Sequence, residues 1–381
     1  MDFSLSEEQV LLRDSVDKYV SENCGVDRHR ALCAAQQGFD QATWQQFAEL
    51  GWLSLPFSEE MGGFAGGATD IMVVSEALGK GLVREPFLHT VVSCGGLLQR
   101  GGSAAQQGQF VPAIIDGSSQ WALAFAEGNS SYDLTALATT AAAERDGYQL
   151  NGHKYAVLNG DCADYLVVTA RTSGVTGDAT GLSLFIVDSS LPGVTRENFN
   201  AVDGSRGAHI QLDNVQLGAD GLLGDLGQGL GLLEAAIDGA IVALGGEALG
   251  AMQSLLAATV EYTRTRQQFG QPISKFQALQ HRMADMYLKV EETRSLLFNA
   301  AIQLDEGSAE AAAACAALKV KVSEAGRHVA QEAVQLHGGI GMTDELGVGH
   351  HYKRLMVLDK LYGDERYYLQ KFADLAATEA A

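Results

Sequence analysis

Basic charge is what this sequence has least of. Against 47 acidic residues stand 26 lysines and arginines, which leaves a net charge of −21 and a pI near 4.7. A polyanion needs a basic field, so nucleic acid is excluded as a partner. One phosphorylated ligand held by a local arginine cluster is not. The five cysteines, at 24, 33, 94, 162 and 315, show no C-x-x-C spacing. Their odd number and scatter exclude a disulfide framework and read as reduced thiols in a cytoplasm-like compartment. No apolar run is expected to be long enough to span a bilayer. Nor does the N-terminus, Met1 to Gln9, read as a leader: it is acidic and starts a helix at once. Proline is equally scarce, five in 381 residues, and from Leu232 onward only Pro272 interrupts the chain. Long unbroken helices are therefore expected there.

What is present is a globular composition, 46% hydrophobic and 19% charged, long enough for two or three domains and a large core. Residues 1–117 read as helical. Ser6, with Gln9 three residues on, has the form of a capping box. Amphipathic segments follow over 39–50, 68–82 and 86–101. From about 118 the period changes. Short apolar runs at 121–126, 165–170 and 182–187 are bounded by Gly, Asn and Asp and read as strands. Asp146-Gly147 and Asn151-Gly152 read as hairpin turns. A compact antiparallel barrel over 118–223 is the expectation. The glycine-rich stretch 224–231 has no βαβ surroundings, so it is read as a helix lead-in and not a dinucleotide fingerprint. Residues 224–381 read as a bundle of four or five helices. The fold class is α+β, helical, then β, then helical.

The stretch from Tyr262 to Met286 organises the rest. A helix should break at Phe269-Gly270-Gln271-Pro272 and a second start near Ser274. Arg264 and Arg266 sit where cations suit a helix C-terminus. A guanidinium fork, the Gln268 amide and a tight glycine turn can together hold a diphosphate. Taken alone, a plain helical hairpin with solvated arginines would be the better reading. Downstream lies a second motif, Gln335-Leu336-His337-Gly338-Gly339-Ile340-Gly341.

The Arg-x-x-Phe-Gly-x-x-Ile-x-x-Phe-Gln run, with this second motif at its separation, closely resembles the acyl-CoA dehydrogenase family. So does the order Gly51-Trp52, Pro56, Glu59 to Gly63 near the N-terminus. The resemblance covers essentially the whole chain. It implies the family fold, FAD as cofactor and an acyl-CoA thioester as substrate. In that chemistry a carboxylate base removes the α-proton and a hydride passes to the flavin. The resemblance places Arg266, Gln268 and Phe269 against the diphosphate and adenosine of an FAD held mainly by a neighbouring subunit. It gives the same role to Gln335, Gly338 and Gly339, and Gln277, one turn past the hairpin, is read as a further contact.

The β-segment departs from the family pattern. Where hydroxyls usually bond the flavin ring stand Ala126 and Leu158, and the ring-stacking tryptophan is Ala156. Neither usual base position carries a carboxylate: Tyr362 occupies one and Ala240 the other. Glu247 is the remaining candidate, seven residues past Ala240 and nearly on the same helix face. No cation neighbours it in sequence, and burial there would raise its pKa. A structural glutamate is an equal alternative. Asp364 and Glu365 are poorer candidates. The reading is one subunit of a heteromer (α2β2) or a homo-oligomer with FAD at subunit interfaces, similar to the two-chain members that act on steroid side chains. An electron-transfer flavoprotein would accept the electrons. A non-catalytic structural subunit, or a flavin oxidase or monooxygenase on the same scaffold, remain the alternatives.

Overall fold

The structure is a computed structural model that describes residues 3–35, 37–128, 130 and 132–379. Met1, Asp2, Asn129 and Ser131, which the sequence reading touched, lie outside the described residues. The chain divides into two compact units. One comprises Met1–Ala35, Gly67–Arg84 and Ile241–Ala381, the other Gln36–Gly66 and Glu85–Ala240.

In chain order the helices are α1 (Glu7–Asn23), α2 (Val26–Ala34), α3 (Gln41–Glu49), α4 (Ala68–Lys80), α5 (Gly96–Gly101) and α6 (Ala104–Ile115). Strands follow: β1 (Trp121–Ala124), β2 (Thr140–Glu144), β3 (Gly147–Leu158), β4 (Tyr165–Arg171), β5 (Leu182–Asp188), β6 (Val194–Asn200), β7 (Arg206–Gly218) and β8 (Leu222–Leu223). Then come α7 (Gly229–Thr265), the small hairpin β9 (Gln267–Gln268) and β10 (Gln271–Pro272), α8 (Gln277–Asp305), α9 (Ala311–His337), α10 (Gly347–Lys360) and α11 (Glu365–Glu379). The capping box forms at α1: the Ser6 hydroxyl accepts from the Gln9 N–H, and the Ser6 N–H donates to the Gln9 side chain. Residues Phe87–Gly95 adopt a π-helix rather than the expected α-helix.

The sheet path is β6-β7-β3-β2-β4-β5-β8, with β1 paired to β4. It is mixed rather than purely antiparallel, because β1 runs parallel to β4 and β2 meets β4 in parallel at Thr140 and Arg171. Alternate residues such as Leu150, Val157, Phe185, Ile210 and Val215 form its core. Asp146-Gly147 falls at the β2–β3 hairpin, where Glu144 pairs with Gly147. Asn151-Gly152 does not make a turn. It lies inside β3, where the register against β7 shifts between Leu150 and Gly152, and the Asn151 side chain accepts the Asn214 N–H at 2.8 Å. Turn residues also serve β-bulges, and β3 is long enough to pair on both sides.

Inside this unit Lys154 is fully buried. Its ammonium donates to Glu127 Oε1 at 2.7 Å and to the Thr169 hydroxyl at 2.9 Å. Glu127 also accepts the N–H groups of Ala138 and Thr139. Burial would raise the Glu127 pKa, but Lys154 and these donors hold it below the usual carboxylate range.

The expected lack of a membrane-length apolar run is corrected by α7, which is long and apolar enough by length and composition. Two-thirds of its most apolar window is buried within the fold, as befits a core helix. In the helical unit α8 and α9 are tied by the Arg282–Glu332 ion pair. Lys319, fully buried on α9, donates to the carbonyls of Leu358 and Asp359 at 3.0 and 2.9 Å, satisfying the last turn of α10. Burial pushes its pKa down to about 7.

That depression has a defined sign. Between about 7 and the ordinary lysine value near 10.4 the unfolded chain holds a proton that the folded chain does not, so stability should rise with pH. The slope is at most about 1.4 kcal/mol per pH unit. Thermal unfolding from pH ~7 to ~8.5 should show a rising midpoint in the wild type and a flatter profile in Lys319→Met. Parallel profiles would show that Lys319 stays charged when buried.

Candidate functional site

The two sequence motifs meet in the helical unit. At the end of α7 the Arg266 N–H donates to the Tyr262 carbonyl at 2.8 Å, and its own carbonyl accepts the Ile273 N–H at 2.9 Å. The backbone of Arg266 is thus fixed from both sides. Its side chain is exposed, and among the described residues no ion pair engages it. Next, Gln268 pairs with Gln271 and Gln267 with Pro272, so Phe269 and Gly270 form a two-residue turn. Both have positive φ, +54° and +78°, the signature of a type I′ hairpin.

Glycine accepts that conformation freely, but a bulky side chain does not. Phe269 is held there at a cost of about 1–2 kcal/mol, and it is 90% exposed. Its ring meets Phe276 edge-on at 5.9 Å. Phe269 thus combines a left-handed backbone with an exposed ring. Gln277, the first residue of α8, is also exposed.

The second motif ends α9. Gly338 leaves the helix at φ +66° and ψ −146°, with its N–H on the carbonyls of Val334 and Gln335. A side chain is strained at that φ, so the turn requires glycine. At Gly339 an added Cβ would meet nothing, so nothing in the chain demands its absence. Gln335, Gly338 and Gly339 are all exposed. The rings of Tyr262 and His337 stack at 4.5 Å and join the two motifs. Burial lowers the His337 pKa, and its Nδ1–H donates to the Ala333 carbonyl at 2.8 Å.

Exposed backbone turns, an unengaged guanidinium and three exposed glutamines fit the diphosphate and adenosine end of FAD. The β-unit does not match its ring end equally. Ala126 and Ala156 offer no side-chain donor, and Leu158 is buried at 9% exposure. Instead, the Ala126 carbonyl accepts the Tyr155 N–H at 2.9 Å. Ala156 sits at φ +50° and donates its N–H to His209 Nδ1 at 3.2 Å. Beside it an aromatic row crosses three strands. His153 lies 4.2 Å from Tyr155, Tyr155 lies 5.2 Å from His209, and His209 stacks on Phe199. Sequence reading missed this row, whose only local signal was the two-residue spacing of His153 and Tyr155.

Glu247 stands on α7 with its side chain 13% exposed. The expectation that it lacks a cationic partner is corrected. Arg354 of α10 grips it bidentately, Nε to Oε1 at 2.5 Å and Nη2 to Oε2 at 2.9 Å. The two residues are 107 apart, so no local spacing could have revealed the pair. Ala240 and Ile241 are fully buried. Tyr362 is buried at φ +61°, and its carbonyl accepts the Tyr368 hydroxyl. Asp364 accepts the Tyr367 N–H as the cap of α11, and Glu365 pairs with Arg327 at 2.8 Å. Both have structural employment.

Comparison with known proteins agrees along the whole length. Family models for the acyl-CoA dehydrogenase N-terminal, middle and C-terminal domains match residues 6–118, 122–215 and 227–373. Mitochondrial isovaleryl-CoA dehydrogenase of Bos taurus is 31% identical over 359 residues, covering 91% of this chain and 82% of that protein. The ChsE4–ChsE5 complex of Mycobacterium tuberculosis superposes with a TM-score of 0.90 at 28% identity, covering 99% of each chain. The Tcur3481–Tcur3483 steroid ACAD does so at 0.89, again with 28% identity and 99% of each chain. The chain belongs to the acyl-CoA dehydrogenase family, whose enzymes are FAD-dependent oxidoreductases.

Proposed function

We propose that this chain is one subunit of a heteromeric acyl-CoA dehydrogenase, an α2β2 assembly in the cytoplasm with a paralogue. It would oxidise the Cα–Cβ bond of a bulky acyl-CoA of the steroid side-chain type, with an electron-transfer flavoprotein as acceptor. One observation carries the reading. The elements suited to the diphosphate and adenosine are intact and exposed, whereas the positions that should hold the flavin ring have lost their donors and their aromatic. Such a chain suits completing a cofactor site in a neighbour better than building one alone. The likeness to the ChsE4–ChsE5 complex and to a steroid ACAD supports the partner and the substrate class.

In this assembly FAD supplies the acceptor for the β-hydride. The task left to this chain is the α-proton, and we assign it to Glu247. Each carboxylate oxygen offers two lone-pair directions. Arg354 takes one on each, which fixes the carboxylate plane and leaves the other free to receive a proton. The same ion pair also favours a second reading, in which Glu247 only clamps α7 to α10 and the chain is a non-catalytic subunit.

The lone chain should bind FAD weakly or below one equivalent. Full yellow occupancy of a homo-oligomer, with the ring seated against Ala126, Ala156 and Leu158, would remove the need for a partner. In the assembled complex Arg266→Ala should weaken FAD binding by about one to two decades, since a charge-assisted bond is worth roughly 1.5–3 kcal/mol. Calorimetric titration measures this, and an unchanged dissociation constant returns Arg266 to a solvated surface role.

Glu247→Gln separates the two readings, but not through stability. Breaking a buried pair costs about 3–5 kcal/mol in either case. The discriminating quantity is the rate of anaerobic flavin reduction per flavin-loaded site in the assembled complex. If Glu247 is the base, that rate falls by at least about 10²-fold. A doubly substituted Glu247→Gln, Arg354→Met complex, relieved of the unpaired arginine, should regain stability and remain slow. Near wild-type reduction in either variant would place the base on the partner chain.

A further inference from the structure

A second chemical centre lies in the helical unit, built on α2. His29 and Cys33 are one helical turn apart, and the Cys33 Sγ lies 3.4 Å from His29 Nε2. The other ring nitrogen, Nδ1, lies 3.3 Å from the carbonyl of Leu82. A carbonyl only accepts, so Nδ1 carries the proton and Nε2 presents its lone pair to the thiol. Leu82 is itself held at φ +51°. From the segment that follows α4 the Arg84 guanidinium donates to the same sulfur at 3.6 Å. His29 is 3% exposed and Cys33 partly exposed. A nucleophile, a base oriented by a third group and a cation on the nucleophile are the parts of an activated thiol.

Among the described residues, further groups facing this centre come from α10 and the turn before it. The His350 ring lies edge-on to His29 at 4.9 Å, and its Nε2 donates to the Asp344 carbonyl at 2.9 Å. Asp344 pairs with Arg30 at 2.7 Å. Beside them burial holds His351 neutral, its pKa pushed down to about 3. The surroundings of other thiols differ. Burial pushes the Cys94 thiol far up, and burial with Asp161 pushes Cys162 up to about 12.

We propose that Cys33 is a nucleophilic thiol, with His29 as its base and Arg84 as its counter-cation, that undergoes exchange with small-molecule disulfides. His29 Nε2 takes the thiol proton. The Sγ thiolate attacks one sulfur of the disulfide, a new S–S bond to Cys33 forms and the old S–S bond breaks. The departing thiolate takes the proton from His29. Cys33 is oxidised to a mixed disulfide, and half of the reagent is reduced to a thiol.

The test uses the native assembly and 5,5′-dithiobis(2-nitrobenzoate), an aromatic disulfide whose thiol product is coloured. Release is followed from about pH 6 to about pH 9, and the labelled cysteine is identified by peptide mass mapping at substoichiometric reagent. Cys33 should be labelled before the other four, with a rate that persists below pH ~8.5, where an ordinary thiol slows. Cys33→Ser should remove the fast phase, and His29→Gln should slow it about tenfold at pH ~7. Labelling of another cysteine first, or a Cys33 profile that tracks an ordinary thiol, overturns the proposal. Should His29→Gln fail to fold, the wild-type pH profile alone decides.

Discussion

The helical unit depends on how closely α7 can approach α4. A Cβ at Gly79 would lie 2.0 Å from the Glu247 carbonyl oxygen, one at Gly250 1.9 Å from that of Glu76, and one at Gly246 2.7 Å from that of Met72. No side chain fits at these three positions, so the two helices touch backbone to backbone. The contact fixes the height and rotation of α7 at Glu247. With its backbone pinned against α4, the Glu247 side chain is held by Arg354 of α10. Helix packing thereby decides which carboxylate is presented and what holds it, and no residue of the pair could slide without opening the crossing.

The same logic of buried charge runs through both units by different routes. Lys154 is hydrogen-bonded to a carboxylate, whereas the hydrogen bonds given for Lys319 go to carbonyls in the last turn of α10. An ammonium beside a carboxylate regains part of its solvation loss by direct attraction, and one beside neutral dipoles regains less. Burial depresses both, Lys319 to about 7 and Lys154 to about 8. Each lysine holds a backbone junction: one the segment at Ala138 and Thr139 through Glu127, the other the end of the helix that carries Arg354.

Local chemistry was legible in the sequence wherever it acts over a few residues. Ser6 with Gln9, the Phe269-Gly270 turn and the Gly338 helix stop are fixed by dihedral demands that the residue types announce. Asn151-Gly152 shows the limit of such signals, since the same pair serves a turn or a bulge. Only the partner strand, β7, decides between them. The mixed character of the sheet was hidden for a related reason: a parallel pairing such as β1 with β4 leaves no mark in either strand alone. The apolar length of α7 was underestimated because Asp238, Glu247 and Glu261 break it into shorter runs, and only a window that tolerates an isolated charge shows its length. Arg354 was beyond reach altogether, for its partner is set by the α4–α7 crossing and not by anything near residue 354.

Exposure and strain together argue where the remaining function resides. The seven residues that the motifs assign to FAD, Arg266, Gln268, Phe269, Gln277, Gln335, Gly338 and Gly339, are all exposed in the chain by itself. A chain selected only for its own stability would not hold Phe269 at φ +54° in water, when a glycine there would relieve the strain at no loss of burial. Among the described residues no ion pair engages the Arg266 guanidinium either. The strain at Phe269 would be offset where another surface covers the hairpin, as the proposed assembly requires. The β-unit shows the complementary deficit, with Ala126, Ala156 and Leu158 where polar and aromatic groups are usual in the family. Exposed contacts in the helical unit together with missing contacts in the β-unit support the proposed shared site, since selection maintains each half only on the chain that uses it.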